Sequence, residues 1–279
     1  MSRDLYTKNN LQLSRLTTLN YSTSFSLGVR MLNRKIRNPI FAIYGYVRYA
    51  DEIVDTFFGY PQEDMLEEFI HETYKAIERG ISTNPILDSF QTIVNQYGIE
   101  REHIDAFLES MRMDLYNHNY EKSKVQDYIY GSAEVVGLMC LRVFYYDDDE
   151  QYESLKYYAR KLGEAFQKVN FLRDIQSDYS DRERIYFSDI SNNGFSIEVK
   201  ERIEREIQHD FEEAYKGIKI LNKRARFGVY LAYIYYQGLF RKIRKSEPNV
   251  LMNGRVRIQN TRKIYLLFQA YLRNSMNLF

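Results

Sequence analysis

Apolar residues in this chain recur at steps of three and four almost from end to end, and no stretch alternates over the length of a strand. That period predicts helices over residues 40–58, 63–79, 86–97, 101–115, 125–145, 152–176, 198–223, 226–245 and 260–272. The punctuation agrees with it: Pro39 and Pro61 stand where helices should open, and Gly80 and Gly98 where they should close. Segment 125–145 is apolar on most sides and reads as a central helix. The acidic run at 147–150 and the polar stretch at 178–193 read as irregular. With 13 Gly and 4 Pro in 279 residues there is no linker signal. The expectation is one all-α domain, residues 1–279, folded as a large helical bundle.

Composition narrows the setting. The single cysteine, Cys140, lies in the apolar run 135–141, so a buried, inert thiol and a reducing cytoplasm are expected, with no internal disulfide. The N-terminal MSRDLYTKNN lacks the apolar core of a signal peptide. The longest uncharged apolar run, 227–240, is too short to span a bilayer. A cytoplasmic protein, soluble or peripheral on a membrane, is the expectation. Net charge is +1, yet residues 216–279 hold fourteen Lys/Arg against one acid, Glu247. That split fits either an anionic partner or solvated helix faces. Its densest group, Arg241, Lys242, Arg244 and Lys245, is expected to meet anionic headgroups. No nucleic-acid motif accompanies the basic quarter, and no nucleic-acid partner is expected. The 26 Tyr and 17 Phe could line a greasy pocket or fill a core.

Two acidic clusters carry the chemistry. Asp51 and Asp55 are four apart on a predicted helix, with Arg48 one turn earlier on the same stripe. Like charges at that spacing repel unless a cation lies between them, although a solvated helix face would also explain them. Gln167, Asn170, Asp174 and Asp178 form a second stripe on a helix whose other residues include Val169, Phe171, Leu172 and Ile175. Carboxylates on a buried helix need partners, either a metal or Arg and Lys side chains. Oxygen-only donors suit Mg²⁺ or Mn²⁺.

Six ordered motifs then carry a resemblance. Ser22, Ser24 and Phe25 lie in the run Tyr-Ser-Thr-Ser-Phe-Ser-Leu at 21–27, an S-x-S-F pattern. Arg48, Asp51 and Asp55 make R-x-x-D-x-x-x-D. Residues 105–115 and the segment from Tyr128 to Met139 follow. Gly163, Gln167, Asn170, Arg173, Asp174 and Asp178 form the fifth motif, and Arg184 and Tyr186 the loop after it. In this order and spacing the sequence resembles the phytoene/squalene synthase family of head-to-head prenyl synthases over nearly its whole length. It is similar in pattern above all to bacterial phytoene synthases.

The resemblance implies a bundle of the isoprenoid-synthase type with a central active-site cavity. It also implies a Mg²⁺-dependent prenyltransferase of carotenoid biosynthesis. Two geranylgeranyl diphosphates would be joined to phytoene through a cyclopropylcarbinyl diphosphate, without NADPH. The alternative is a squalene or dehydrosqualene synthase acting on two farnesyl diphosphates. Metal binding is implied for Asp51, Asp55, Asn170, Asp174 and Asp178, and a catalytic role for the four aspartates and Tyr128. Substrate binding is implied for Ser22, Ser24, Phe25, Tyr44, Arg48, Gln167, Asn170, Arg173, Arg184, Tyr186, Tyr235 and Arg255. On the residues alone, Ser22 and Ser24 also suit helix caps, and Tyr44 and Tyr128 also suit a core. Five positions depart from the family pattern. Ser177 replaces the Glu of R-D-x-x-E-D, Glu183 a Gly, Phe187-Ser188 a Leu-Pro, and Glu134 a Gly.

Overall fold

The computed structural model describes residues 3–116, 122–180 and 195–258, with Leu266, Leu267, Ala270 and Arg273. Every regular element among them is helical. The order is α1 (Arg3–Tyr21), α2 (Thr23–Arg30), α3 (Arg34–Asp55), α4 (Gln62–Arg79), α5 (Pro85–Tyr97) and α6 (Arg101–Tyr116). Then come α7 (Lys122–Ile129), a π-helical turn (Tyr130–Glu134), α8 (Val135–Phe144) and α9 (Asp149–Ser180). Last are α10 (Ile197–Ile220), α11 (Arg226–Arg244) and α12 (Pro248–Met252). The stretch expected to be irregular after Ser180 and the helix expected at 260–272 lie almost wholly outside the described residues.

Local chemistry explains most of the boundaries. Asn33 caps α3 by accepting the Lys35 N–H at 3.0 Å. The helix therefore opens six residues earlier than the sequence reading places it. Pro39 falls inside, where it cannot donate to the Lys35 carbonyl. Asn84 caps α5 through the N–H groups of Ile86 and Leu87. Gly80 and Gly98, at φ +67 and +64, end α4 and α5 in a conformation that suits glycine. Asp149 and Glu150 are not loop residues. They open α9, where carboxylates favour the positive end of the helix dipole.

The expected continuous helix at 125–145 is broken by the π turn. Its backbone is pressed from both sides. A Cβ on Gly131 would lie 2.3 Å from the Ala106 carbonyl of α6, and one on Gly163 of α9 would lie 2.7 Å from the Ala133 carbonyl. Single π turns of this kind recur at functional sites. Glu134, at its end, is buried and bound to Arg160 Nε at 2.6 Å.

Two apolar clusters frame the interior. Phe41, Tyr46, Phe90 and Phe107 anchor the one built by α3 to α6 and α8, with Tyr46 stacked on Phe90 at 3.7 Å. Val169, Leu172, Phe211 and Phe240 anchor the one shared by α9, α10 and α11. Each such side chain contributes about 1.5–3 kcal/mol on burial. Between these clusters the helices part and leave a cavity.

Candidate active site

The cavity encloses about 1320 Å³ of empty space, its open mouth included. No charged side chain lines it among the described residues. Its walls come from α2, α3, the π turn, α8, α9, α10 and α11; Tyr44, Gln167, Asn170 and Tyr236 bring polar groups to one end, and Ser132 and Tyr158 also line it. Cys140 sits on the wall half-buried, and burial pushes its thiol up to about 12, so it stays protonated and unreactive.

The polar end is assembled by helical spacing. On α3, Tyr44, Arg48, Asp51 and Asp55 succeed one another at steps of three and four, and on α9 so do Gly163, Gln167, Asn170, Asp174 and Asp178. In each case the first members line the cavity and the aspartates stand beyond its rim. Tyr44 and Tyr236 bridge the two stripes. Tyr44 stacks on Phe25 at 4.6 Å. Burial first, then the negative charge of Asp51, pushes its phenol up to about 12. Tyr236 donates to Asn170 Oδ1 at 3.3 Å and stacks on Phe166 at 3.8 Å. Asn170 in turn donates to Gln167 Oε1 at 3.4 Å.

The charged groups above this rim are cross-linked. Arg48 is bound to Glu52, lies 3.8 Å from Asp51 and covers the Tyr21 ring at 4.4 Å. Its Nε is buried with no acceptor. Asp174 accepts from Arg173 Nε at 3.0 Å and pairs with Arg255 Nε at 2.7 Å. Burial lowers the Arg173 pKa, but Asp174 outweighs it and holds the guanidinium above its usual value. Asp178 is buried at the end of the same stripe.

Other expected site residues are placed as follows. Ser22 caps α2, accepting the Phe25 N–H at 3.2 Å, and Ser24 is half-buried in its first turn. Tyr128 is buried behind the rim, donating to Asp114 Oδ2 at 2.9 Å and stacked on Phe171 at 6.0 Å. Tyr235 is buried in a cluster with Tyr152, Tyr230 and Leu231, off the cavity wall. Its neighbour Tyr236, which the sequence reading did not single out, faces the cavity. Gly228, Val229, Ala232 and Tyr236 form that face of α11, and the period of small residues is the signal that marks it. Ser177 donates to the Asp174 carbonyl at 2.9 Å. Arg184 and Tyr186, with Glu183, Phe187 and Ser188, lie outside the described residues.

No group of three or more Asp, Glu, His or Cys converges on one point among the described residues. The donor set still fits magnesium, which is commonly held by one or two carboxylates with phosphate oxygens and water completing the shell. Asp51 with Asp55, and Asp174 with Asp178, offer such pairs. The buried, orphaned Arg48 Nε beside Asp51 is a donor suited to a phosphate oxygen.

A wholly helical bundle around an apolar cavity, with two aspartate-bearing helices at its rim, is a fold of the isoprenoid-synthase type. A dehydrosqualene synthase solved with a ligand superposes with a TM-score of 0.81 at 20% identity, over 96% of this chain and 98% of that one. A squalene synthase from Alicyclobacillus acidocaldarius gives 0.73, also at 20% identity, over 86% and 95%. The chain belongs to the squalene/phytoene synthase family, whose model matches residues 18–262. It is 26% identical to a 4,4'-diapophytoene synthase of Staphylococcus haemolyticus, over 92% of this chain and 95% of the relative. It is 28% identical to a 15-cis-phytoene synthase of Synechocystis, over 94% and 84%. The family is one of prenyltransferase-type enzymes of isoprenoid and carotenoid biosynthesis.

Proposed function

We propose that this chain, as one prenyl synthase domain, joins two geranylgeranyl diphosphates head to head into phytoene. The observation that carries the reading is a charge-free cavity opening beneath two aspartate stripes. Such a site takes an apolar chain inside and an anionic head at the rim. Among the described residues Arg48, Arg173 and Arg255 stand beside the aspartates, and two of them neutralise Asp174. Asp51, Asp55, Asn170, Asp174 and Asp178 would hold magnesium, which when bound neutralises the leaving diphosphate. Gln167 and Asn170 orient the head group, with Tyr236 fixing the Asn170 amide. The aromatic faces of Phe25, Tyr44 and Phe166 are placed to shield an allylic cation from water. That cation alkylates the double bond of the second chain, a proton is lost as the cyclopropane ring closes, and the cyclopropylcarbinyl diphosphate so formed ionises, rearranges and loses a second proton. No reductant enters this sequence.

A second reading is condensation of two farnesyl diphosphates. It is favoured by the diapophytoene synthase relative and by the likeness of fold to a dehydrosqualene synthase. Incubating the purified protein with Mg²⁺ and each diphosphate, without NADPH, separates the two. Phytoene from geranylgeranyl diphosphate is expected; preferential use of farnesyl diphosphate would establish the second reading instead.

A further inference from the structure

One end of the cavity lies far along the bundle from the aspartates. Along α9 the lining runs from Asn170 down to Leu155, about 22 Å of helix at 1.5 Å per residue. Leu32, Phe144, Leu155 and Leu221 line this end, its floor. Just outside it the α2–α3 and α10–α11 junctions are tied together. The Asn33 N–H donates to the Arg224 carbonyl at 2.8 Å, and Leu32 packs on Gly228, where a Cβ would lie 2.5 Å from Leu32 Cδ2.

These two junctions expose Arg30, Arg34 and Lys35 on one side and Lys219, Lys223 and Arg224 on the other. No ion pair joins any of the six to a described residue. Residues 5–50 contain seven Lys/Arg and not one acid. Arg37, whose guanidinium donates to the Leu32 carbonyl at 2.8 Å, is held below its usual pKa by burial and by the charges of Arg34 and Arg15. Ile220 stands 58% exposed among the lysines. On one side the patch is bounded by the acidic loop at 145–148, fastened by Tyr145, whose hydroxyl accepts the Asn222 N–H at 2.8 Å.

The basic group further along α11 is differently employed. Lys242 Nζ donates to the Arg257 carbonyl at 2.7 Å, Arg244 faces Glu204 at 3.9 Å, and Arg241 Nε donates to the Gln237 carbonyl at 3.2 Å. Among the described residues, the six exposed cations at the two junctions thus carry no ion pair, whereas Arg241, Lys242 and Arg244 are engaged.

We propose that this end of the bundle docks on an anionic lipid bilayer, with the floor of the cavity turned towards the lipid. A bilayer is charged outside and apolar within, which matches exposed cations on two joined junctions, with the exposed Ile220 beside Lys219, and an apolar cavity behind them. A soluble polyanion would use the cations alone. The proposal rests on the reading that the product is a hydrocarbon, for which transfer across the floor into lipid avoids water altogether.

The test is co-sedimentation of the full chain, without substrate, with phosphatidylglycerol and with phosphatidylcholine vesicles. Binding should require the anionic lipid and weaken with salt. Each basic residue at such a surface is worth about fivefold in partitioning. R34Q/K35Q/K219Q/K223Q/R224Q should therefore lose at least about tenfold, with unchanged circular dichroism and unchanged turnover in detergent. R241Q/K242Q/K245Q should bind as the wild type does, and Ile220→Ser should weaken binding at fixed charge. Loss in the second set and not the first, equal binding to neutral vesicles, or no binding at low salt would each overturn the proposal. So would binding of a labelled oligonucleotide, lost in the first set, with no vesicle binding. Because no substrate is present, vesicle binding stands or falls apart from the product assay.

Discussion

Replacing Lys168 with Met should destabilise the fold by about 3 kcal/mol, and the reason is a closed ring of charges behind the active site. Lys161 and Lys168 of α9 alternate with Glu164 of α9 and Asp210 of α10, the four contacts being 2.7, 2.9, 2.8 and 2.8 Å. Asp210 is 2% exposed, Glu164 6% and Lys168 7%. Removing one member of a buried pair costs about 3–5 kcal/mol, because the other charge stays desolvated. Lys161 still reaches both acids, which places this loss at the low end. Replacing both Lys168 and Asp210 with apolar residues leaves a neutral Lys161–Glu164 pair. The double variant Lys168→Met/Asp210→Leu should therefore be less destabilised than the sum of its singles, by about 1 kcal/mol or more. Urea unfolding followed by circular dichroism measures all three. A loss below about 1 kcal/mol for Lys168→Met, or strict additivity, would refute the reasoning.

The same ring sets a pH window. Burial lowers the Lys168 pKa, but Asp210 and Glu164 outweigh it and hold it above its usual value; Lys161 is likewise raised. Their contribution is whole below the unfolded lysine pKa of about 10.4 and is lost as pH rises through the folded values. Burial raises the Glu164 pKa, but Lys168 and Lys161 outweigh it and hold it low. Its contribution is whole above about 4.3 and is lost as pH falls through the folded value. The gap between wild type and Lys168→Met should be flat from about pH 5 to 10 and narrow outside that range.

Further outcomes bear on the site. Asp51→Asn or Asp174→Asn should lower turnover at least about a hundredfold, as should excess chelator on the wild type; full activity in any of these would sink the metal role. Tyr236→Phe removes the donor that fixes the Asn170 amide, and should cost about fivefold in kcat with an unchanged unfolding midpoint. Gly163→Ala gains helix propensity of about 1 kcal/mol, yet its Cβ would meet the Ala133 carbonyl oxygen at 2.7 Å. Backbone cannot give way there, so net destabilisation of about 1–3 kcal/mol is expected by thermal unfolding.

Both aspartate stripes were legible in the sequence because spacing along one helix is local information. What faces a stripe is not. Arg255 reaches Asp174 across 81 positions, and nothing in either neighbourhood announces the pair. Tyr235 and Tyr236 show the limit within one helix: a step of about 100° sends one into a core cluster and the other to the cavity. Only the small residues Gly228 and Ala232 on the Tyr236 face distinguish them.

Of the helices that went unread, α1 is instructive in a different way, because its pattern is inverted. It buries Asn10, Ser14 and Thr18 and exposes Leu5, Leu13 and Leu16. A hydrophobic-period reading has nothing to find on such a helix. The buried face is polar because its partners are backbone-close or charged. Ser14 lies against Gly45 of α3, where a Cβ would stand 3.1 Å from the serine Cβ, and Asn10 donates to the buried Asp88 of α5 at 2.9 Å. Apolar side chains of ordinary size would push α1 away from α3, the helix that carries Tyr44, Arg48 and Asp51. Small polar residues on α1 therefore hold one wall of the site in place, and the apolar period was lost to that close approach.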